Sequence, residues 1–566
     1  MAKKINGKEY DAWSKEELIK EIVKIKSTTY GLVWHRDLPE EKIDILINPD
    51  ARTPNEMFPN EMAGKPFPVL KEVKGKAIES DKSKLVNLLI EGDNYHSLAV
   101  LNFTHREAVD LIYIDPPYNT GNNDFIYNDK FVDKEDSFRH SKWLSFMEKR
   151  LILSKNLLTK NGVIFISIDD NEQAPLKMLC DEIFGENNFV VDVIWNSRKS
   201  VSNDAIVSLN HNHTLVYAKD VETLRLEVKK NNKFKLPAHE EKFSNPDNDP
   251  RGSWTADPFD APNLRPNLTY PINNPKTGEV FMPPKGRCWR TTKDEYERFL
   301  KEGCIVFGKN GKSKPQLKRY FSDAEGKGMT PKSIWDDVGT TTNGTQELED
   351  ILGDKKFNNP KPVSLIKRIL ELSTDKDSTV LDFFAGSGTT GHAVLELNKE
   401  DGGHRNFILC TNDENGICKE VCYPRVKKVI GGYKNQKGDK VEGLGGNLKY
   451  YKTDFVEAEP TDKNKRKLVK ESTDMLCILE NAFELIQEIQ EFKIFKNTDK
   501  YVGVIFYEEA IDDYKKAIKK IDGHFNTYVF SMGDDPHTKK FADMKGKVTL
   551  CAIPEVILKV YREIFK

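Results

Sequence analysis

Leu111-Ile112-Tyr113-Ile114-Asp115-Pro116-Pro117-Tyr118-Asn119-Thr120-Gly121 is the stretch that decides the fold. With Val109 it begins as an apolar run that reads as a buried strand. Two prolines cannot continue a strand ladder, so the chain leaves the sheet there. Asp115 then sits on a stiff loop at the carboxyl end of a strand, where open α/β sheets bind their ligands. The loop offers a carboxylate, prolines that lack an N–H, and an aromatic ring. That set suits a planar base with an exocyclic amine. Asp115 and the Pro116 carbonyl accept hydrogen bonds from the amine, and Tyr118 stacks on the ring. Accepting both N–H bonds draws the nitrogen lone pair out of conjugation and makes it a better nucleophile. Taken alone, Asp115 to Tyr118 also fits a plain β-turn, because Asp-Pro and Pro-Pro are ordinary turn formers.

A second stretch lies about 270 residues further on. Val380-Leu381 opens a strand into Asp382-Phe383-Phe384-Ala385-Gly386-Ser387-Gly388-Thr389-Thr390-Gly391, and a helix follows from His392 to Leu397. Strand, Gly-rich turn and helix is the arrangement that cradles a nucleotide-like ligand at a helix N-terminus. Gly386, Gly388 and Gly391 fit the G-x-G-x-x-G spacing of dinucleotide sites literally. Asn406 to Asn412 reads as the next strand and ends in Asp413-Glu414, acids that suit a ribose in a nicotinamide dinucleotide or another nucleoside cofactor.

Around these two stretches the chain divides into five parts. Residues 1–80 read as a helical arm and extended connector: Ser14 and Glu17 have capping-box spacing, and Leu18, Ile19, Ile22, Val23 and Ile25 follow at helical intervals. Trp34-His35-Arg36 and Pro54, Pro59, Pro66 and Pro68 cross toward the core. Residues 81–196 alternate strands (Leu85 to Ile90, Val163 to Ile168) with helices (Tyr95 to Leu101, Trp143 to Leu158, closed by Asn161-Gly162). That alternation indicates an α/β fold with a doubly wound, mostly parallel sheet. Asp93 either contacts a nucleoside or caps the first helix. Asp169 to Glu172 either line the pocket or, the favoured reading, cap the next helix.

Residues 197–354 break the rhythm. Lys285 to Lys332 holds 13 Lys/Arg against 6 Asp/Glu, with Trp289, Tyr296, Phe299, Phe307, Tyr320 and Phe321 interleaved. Basic and aromatic residues together suit phosphate contact with base stacking, through Arg287, Arg290, Lys312, Lys314, Lys318 and Arg319. A solvated, loop-rich insert is the alternative. Residues 355–451 hold the Gly-rich loop. Residues 452–566 read as a charged linker from Asp462, a helix from Met475 to Ile486, strands Val502–Tyr507, Thr527–Ser531 and Val548–Ala552, and a last helix from Glu555: a small α/β domain.

Over 566 residues, 87 Lys+Arg balance 89 Asp+Glu, so a nucleic-acid surface must be a local patch. Met1 to Lys26 is charged throughout and no long apolar run exists, so neither signal peptide nor membrane span is expected. Eight cysteines make no disulfide framework, which points to a reducing cytoplasm. Cys410, Cys418 and Cys422 lack a standard zinc spacing. His211 and His213 share a strand face and are expected to contact DNA or the chain near the pocket. No metal is expected.

The loop from Asp115 to Tyr118 resembles that of amino-directed DNA methyltransferases in their adenine form; cytosine-N4 enzymes usually have serine in place of Asp115. With Phe384 to Thr389 behind it and a basic insert between, the order resembles the β-class, a permuted Rossmann-like methyltransferase. Together the two loops decide for S-adenosylmethionine over a nicotinamide cofactor. Asn119 to Gly121, Trp143, Ser167 to Asn171, Val380 to Asn398 and Tyr423 to Arg425 narrow the likeness to the modification (Mod) subunit of type III restriction–modification systems. The resemblance implies that Asp115, Pro116, Pro117 and Tyr118 form the catalytic loop. It implies that Asp93, Lys361, Asp382, Phe384, Ala385, Gly386, Ser387, Gly388, Thr389 and Glu414 (or Asp413) hold S-adenosylmethionine, and that the insert is a target-recognition domain. It implies N6 methylation of a flipped-out adenine, with Phe125 or Trp195 as a second ring beside it. The implied partners are double-stranded DNA, a second copy and a restriction subunit, in the cytoplasm at the nucleoid. A stand-alone methyltransferase and a DNA-specificity scaffold that recruits a nuclease are the alternatives.

Overall fold

The computed structural model describes residues 65–80, 85–122, 124–127, 130–231, 233–237, 240–308, 311–497, 500–531, 537–554, 557–558 and 560–561, and before them 4–5, 8–9, 14–19 and 34. Ser14 and Glu17 exchange the two capping-box bonds, at 3.2 and 2.8 Å. Ile22, Val23, Ile25, His35, Arg36, Pro54 and Pro59 lie outside the described residues.

Ten strands build the main sheet: β1 (Phe67–Glu72), β2 (Val86–Glu91), β3 (Val109–Ile114), β4 (Leu158–Ile168), β5 (Phe189–Asn196), β6 (His211–Ala218), β7 (Ile334–Trp335), β8 (Thr379–Asp382), β9 (Asn406–Thr411) and β10 (Asn447–Val456). Their order is β7-β5-β6-β4-β3-β8-β9-β2-β10-β1. From β4 to β10 all neighbours run parallel. β6 is antiparallel to β4 and β5, and β1 to β10. The central strands are nearly continuous runs of buried Leu, Ile and Val, as a sheet covered on both faces requires. The cover is α1 (Asn94–Thr104), α2 (Arg139–Leu157), α3 (Gln173–Phe184), α4 (Thr341–Leu352), α5 (Val363–Ser373), α6 (Thr389–Asp401) and α7 (Tyr423–Gly431).

β3 and β8 are neighbours: Leu111 pairs with Val380 and Ile112 with Leu381. From β3 the chain crosses by α2 to β4 on one side; from β8 it crosses by α6 to β9 on the other. The carboxyl ends of β3 and β8 are therefore a topological switch point, where doubly wound sheets take their ligands.

Several expected boundaries move. Asn161-Gly162 does not close a helix; α2 stops at Leu157, and both residues lie inside β4. A Cβ on Gly162 would stand 3.0 Å from the Val109 carbonyl, so that glycine answers to strand crowding rather than to a helix stop. The connector expected before residue 80 contributes the edge strand β1. The core boundary placed at 451 falls within β10, which runs to Val456.

The chain divides into two compact units, one of residues 1–227 with 333–566, the other of residues 228–332. The insert expected over 197–354 is thus narrower, because β6, β7 and α4 extend or cover the main sheet. The second unit has a three-stranded sheet (Trp254–Pro258, Gln316–Tyr320, Ile305–Val306) and a core of Phe259, Tyr270, Ile272, Trp289, Tyr296, Ile305 and Phe307.

The stretch from Asp462, expected as a linker, begins α8 (Asp462–Leu479), with Thr461 accepting the Asn464 N–H as its cap. The helix does not reach Ile486. Asn481 adopts a left-handed φ of 48°, and Glu484–Glu488 is instead β11. It opens a five-stranded sheet with β12 (Phe492–Lys496), β13 (Tyr501–Ile505), β14 (Phe525–Val529) and β15 (Val548–Cys551), in that order. Leu468, Met475 and Leu476 of α8 enter the same core as α1 and β1. Residues 532–536 and the start of the last expected helix, Glu555, lie outside the described residues. Among the described residues no helix is long and apolar enough to cross a membrane.

Candidate active site

The loop after β3 is held from below. Trp143, buried on α2, donates its indole N–H to the Pro117 carbonyl at 2.7 Å. Asn119 takes a left-handed φ of 56° and donates from Nδ2 to Glu172 Oε1 at 2.5 Å. The same oxygen lies 2.7 Å from His140 Nδ1. Glu172 is fully buried, and burial pushes its carboxyl above the usual range, opposed by the Asn119 and His140 contacts. Glu172 makes no capping bond to α3. The favoured expectation of a cap is therefore wrong for this residue, which anchors the loop instead. Asp169 orders the turn, accepting the Asn171 N–H at 2.9 Å.

With the loop fixed, both oxygens of Asp115 are engaged. Tyr118 OH donates to Oδ1 at 2.9 Å, and Lys361 Nζ stands 2.5 Å from Oδ2. Burial, then the Asp115 charge, push the Tyr118 hydroxyl well above its usual pKa. Lys361, expected on the cofactor, thus spends its ammonium on the catalytic loop. Its carbonyl accepts from Thr389 Oγ1 at 3.2 Å, so one residue ties the two loops together.

The loop after β8 turns through left-handed Gly386 (φ 49°) and Gly388 (φ 78°). The Phe357 ring crosses over Gly386, where a Cβ would lie 3.2 Å from its Cζ. Asp382 faces inward: Oδ1 accepts the Phe384 N–H at 3.0 Å and Oδ2 the Thr390 hydroxyl at 2.5 Å. Burial pushes its carboxyl up to about 7. Asp382 therefore braces the loop. Fully buried Arg425 donates to Ser387 Oγ at 3.1 Å and to Thr389 Oγ1 at 2.7 Å. Those hydroxyls are thus engaged within the fold, and the first N–H groups of α6, which have no intrahelical acceptors, are of the kind that suits an anionic group.

Asp93 takes the capping role of the two expected of it. Oδ1 caps α1 through the Tyr95 N–H at 2.7 Å, and the side chain remains 43 % exposed. Buried Arg150 holds it at 3.1 Å and also donates to Asn94 Oδ1, whose Nδ2 reaches the Phe383 carbonyl at 3.0 Å. The ends of β2 and β8 are linked through this chain. Asp413 is taken by Lys419 at 2.6 Å, while Glu414 is exposed. The groups at this edge fit a nucleoside joined to an amino acid: acceptor carboxylates at Asp93 and Glu414, donor backbone N–H groups beyond Gly388, and the half-buried Phe384 ring. Phe125 and Trp195, expected as a second stacking ring, are both buried; Phe125 packs on Phe146 at 5.3 Å, and the Trp195 N–H is on the Gly339 carbonyl.

The insert residues separate into two groups. Lys318 is buried between Asp247 and Asp249, each at 2.6 Å. Arg287 pairs with Asp260 and Arg290 with Asp257. Lys312, Lys314 and Arg319 are exposed. Trp289, Tyr296, Phe307 and Tyr320, expected as stacking rings, are buried. An insert of this size folds only by burying its aromatics, and sequence proximity to lysines does not reveal that.

A model of the family described as DNA methylase matches residues 109–422. The chain belongs to that DNA methylase family. The match opens on the first residue of β3 and contains both loops and the insert. The type III restriction-modification enzyme StyLTI Mod subunit of Salmonella typhimurium is 39% identical over 378 residues, 61% of this chain and 55% of the relative. The EcoPI Mod subunit of Escherichia phage P1 is 35% identical over 405 residues, 62% of this chain and 61% of the relative. The chain therefore spans less than two thirds of the length of these Mod relatives. Type II methyltransferase M.KpnI of Klebsiella pneumoniae is 33% identical over 366 residues, 59% of this chain and 82% of the relative.

In this methylase the sequence signals misassigned Glu172 and missed His140 and Arg150. Arg150 had a signal of its own: a charged residue at helical spacing among Leu144, Met147, Leu151 and Leu153 of an apolar face.

Proposed function

We propose that the chain is a site-specific DNA methyltransferase that moves a methyl group from S-adenosylmethionine to N6 of an adenine, as the modification subunit of a type III restriction–modification system. One observation carries the reading: the Asp115 loop and the Gly386–Gly388 loop end adjacent strands and are joined through Lys361. Bound S-adenosylmethionine supplies an electrophilic methyl group. The start of α6, Asp93 and Glu414 bind and orient it. Exposed Lys312, Lys314 and Arg319 of the insert meet phosphates. The target adenine leaves the stack, because its amine is otherwise out of reach, and Tyr118 takes its face. Asp115 Oδ1 and the Pro116 carbonyl accept the two N6–H bonds, while Lys361 keeps Oδ2 and fixes the carboxylate plane. Asp115 then stabilises the positive charge that grows on N6 and takes up a proton. Positioning supplies most of the acceleration.

In this reading a second copy of the chain and a helicase–nuclease restriction subunit are the protein partners, in the cytoplasm at the nucleoid. Base-resolution mapping of DNA from a methylation-free host expressing the chain tests it, with Asp115→Ala as control. N6-methyladenine in one short motif, absent from the control, is expected, on one strand of an asymmetric site for a type III subunit. A palindrome marked on both strands would indicate a stand-alone enzyme. N4-methylcytosine or no mark would overturn the assignment.

A further inference from the structure

Beyond the catalytic loop, on the side away from the Gly-rich loop, the sheet edge carries a second cluster. β6 is antiparallel to β4, so its first residues stand beside the last of β4. His211 and His213 lie two apart on β6 and share a face. Asp170 lies just past the end of β4. His213 Nε2 is 3.3 Å from Asp170 Oδ1, and His211 Nε2 is 3.9 Å from the same oxygen. One donor atom from each of the three falls within 4.8 Å of the others.

The spacing approaches that of a coordination shell. A tetrahedral ion with ligands at about 2.0–2.1 Å places its donors about 3.4 Å apart. The His213–Asp170 edge has that length, and His211, 33 % exposed, needs only a small side-chain shift. A second feature points the same way. His213 Nδ1 is 2.9 Å from Asp192 Oδ2, and Gln173 Nε2 donates to that oxygen at 3.0 Å. A carboxylate on one ring nitrogen, itself held by an amide, orients the other nitrogen as metal-binding histidines require. An ion pair accounts for His213 between two carboxylates. His211 Nε2 lies within ion-pair reach of the same Asp170 oxygen, so metal uptake is what separates the two arrangements.

We propose that Asp170, His211 and His213 bind one divalent transition-metal ion of the zinc class, with Asp192 orienting His213 and a fourth position open to water. Two nitrogens and one carboxylate oxygen suit zinc, cobalt(II) or nickel(II) over magnesium or calcium, which prefer oxygen alone. The ion would pin the start of β6 to the turn after β4, beside the loop that Glu172 anchors from the same turn.

The full chain, stripped with a chelator, is titrated with cobalt(II) and zinc(II), following cobalt absorption and heat. One equivalent with nitrogen–oxygen spectral character is expected, together with a zinc-dependent rise in melting temperature. A thiolate charge-transfer band would assign the ion to cysteine and overturn the site. His211→Ala and Asp170→Asn, at partly exposed positions, should each lose at least tenfold in affinity. Asp192→Asn should lose about 10–100-fold. Their metal-free melting curves show whether the variants fold. No uptake by the wild type, or uptake unchanged in folded variants, overturns the proposal. So does a metal-free loss of stability with no zinc effect on the wild type, the signature of an ion pair alone.

Discussion

Lys361 Nζ stands 2.5 Å from Asp115 Oδ2, joining residues 246 apart in the chain. With Tyr118 OH on the other oxygen, each carboxylate oxygen holds one partner and keeps a lone pair for an incoming amine. Of the two partners, the neutral hydroxyl is the weaker.

Tyr118→Phe keeps the ring and frees Oδ1, so transfer should stay within about tenfold of wild type. Tyr118→Ala should weaken base binding by about 1–3 kcal/mol, the worth of one stacked base. Asp115→Ala should lower turnover by at least about 100-fold with DNA affinity nearly unchanged. Single-turnover rates and gel-shift titrations separate these; loss of DNA binding in Asp115→Ala would make the loop structural.

Gly386→Asp should abolish S-adenosylmethionine binding in calorimetry. The position needs a left-handed φ, and its Cβ would press on Phe357. Retained binding with normal heat would place the cofactor elsewhere.

Asp382 predicts a pH signature. Its folded carboxyl titrates at about 7, against 3.8 when exposed. The native state therefore holds this proton more tightly than the unfolded chain. Stability falls as pH rises from about 4 to about 7, by on the order of 4 kcal/mol, and is level above that. Asp382→Asn should remove the slope. The melting-temperature difference, variant minus wild type, should grow across that window, and a constant difference would refute the assignment.

Glu172→Gln leaves an acceptor for Asn119 but not the charge that faces His140. Turnover should fall about tenfold while cofactor affinity holds. Glu172→Ala leaves the buried Asn119 amide only the Arg139 carbonyl, at 3.3 Å, and should cost a further 1–3 kcal/mol or so of stability. A loss of cofactor affinity in parallel with turnover would argue against a loop-specific role.

In the insert, Lys318→Ala should behave as a folding mutation. It leaves Asp249 short of a buried partner, at about 3 kcal/mol. Arg319→Ala should fold normally and lower the slope of log affinity against log salt by about 1. The reverse pattern would invert these two roles.

What the sequence displayed and what it hid follow from the range of each interaction. The strand into Asp115 and the Gly-rich loop are local patterns, and their neighbours in space are set by parallel-sheet topology, so both were legible. Glu172 looked like a helix cap because it precedes a helix; its partner Asn119 lies 53 residues back, on another loop. Lys318 looked like a phosphate ligand because its counterions, Asp247 and Asp249, are about 70 residues away. Asn161-Gly162 looked like a helix stop because strand crowding leaves no mark on neighbouring sequence. Lys361 follows the same rule: Asp115, which holds its ammonium, lies 246 residues back.

The neighbour relation between β3 and β8 also has a price in time. Val109–Ile114 is made early, yet one of its edges stays bare until Thr379 and the residues after it have left the ribosome. At about 5–20 residues per second that wait lasts on the order of tens of seconds. Throughout it, an apolar strand with unpaired backbone groups is open to other nascent chains. Translation speed and chaperone supply, rather than the stability of the finished sheet, would then set how much of this methylase matures in a cell.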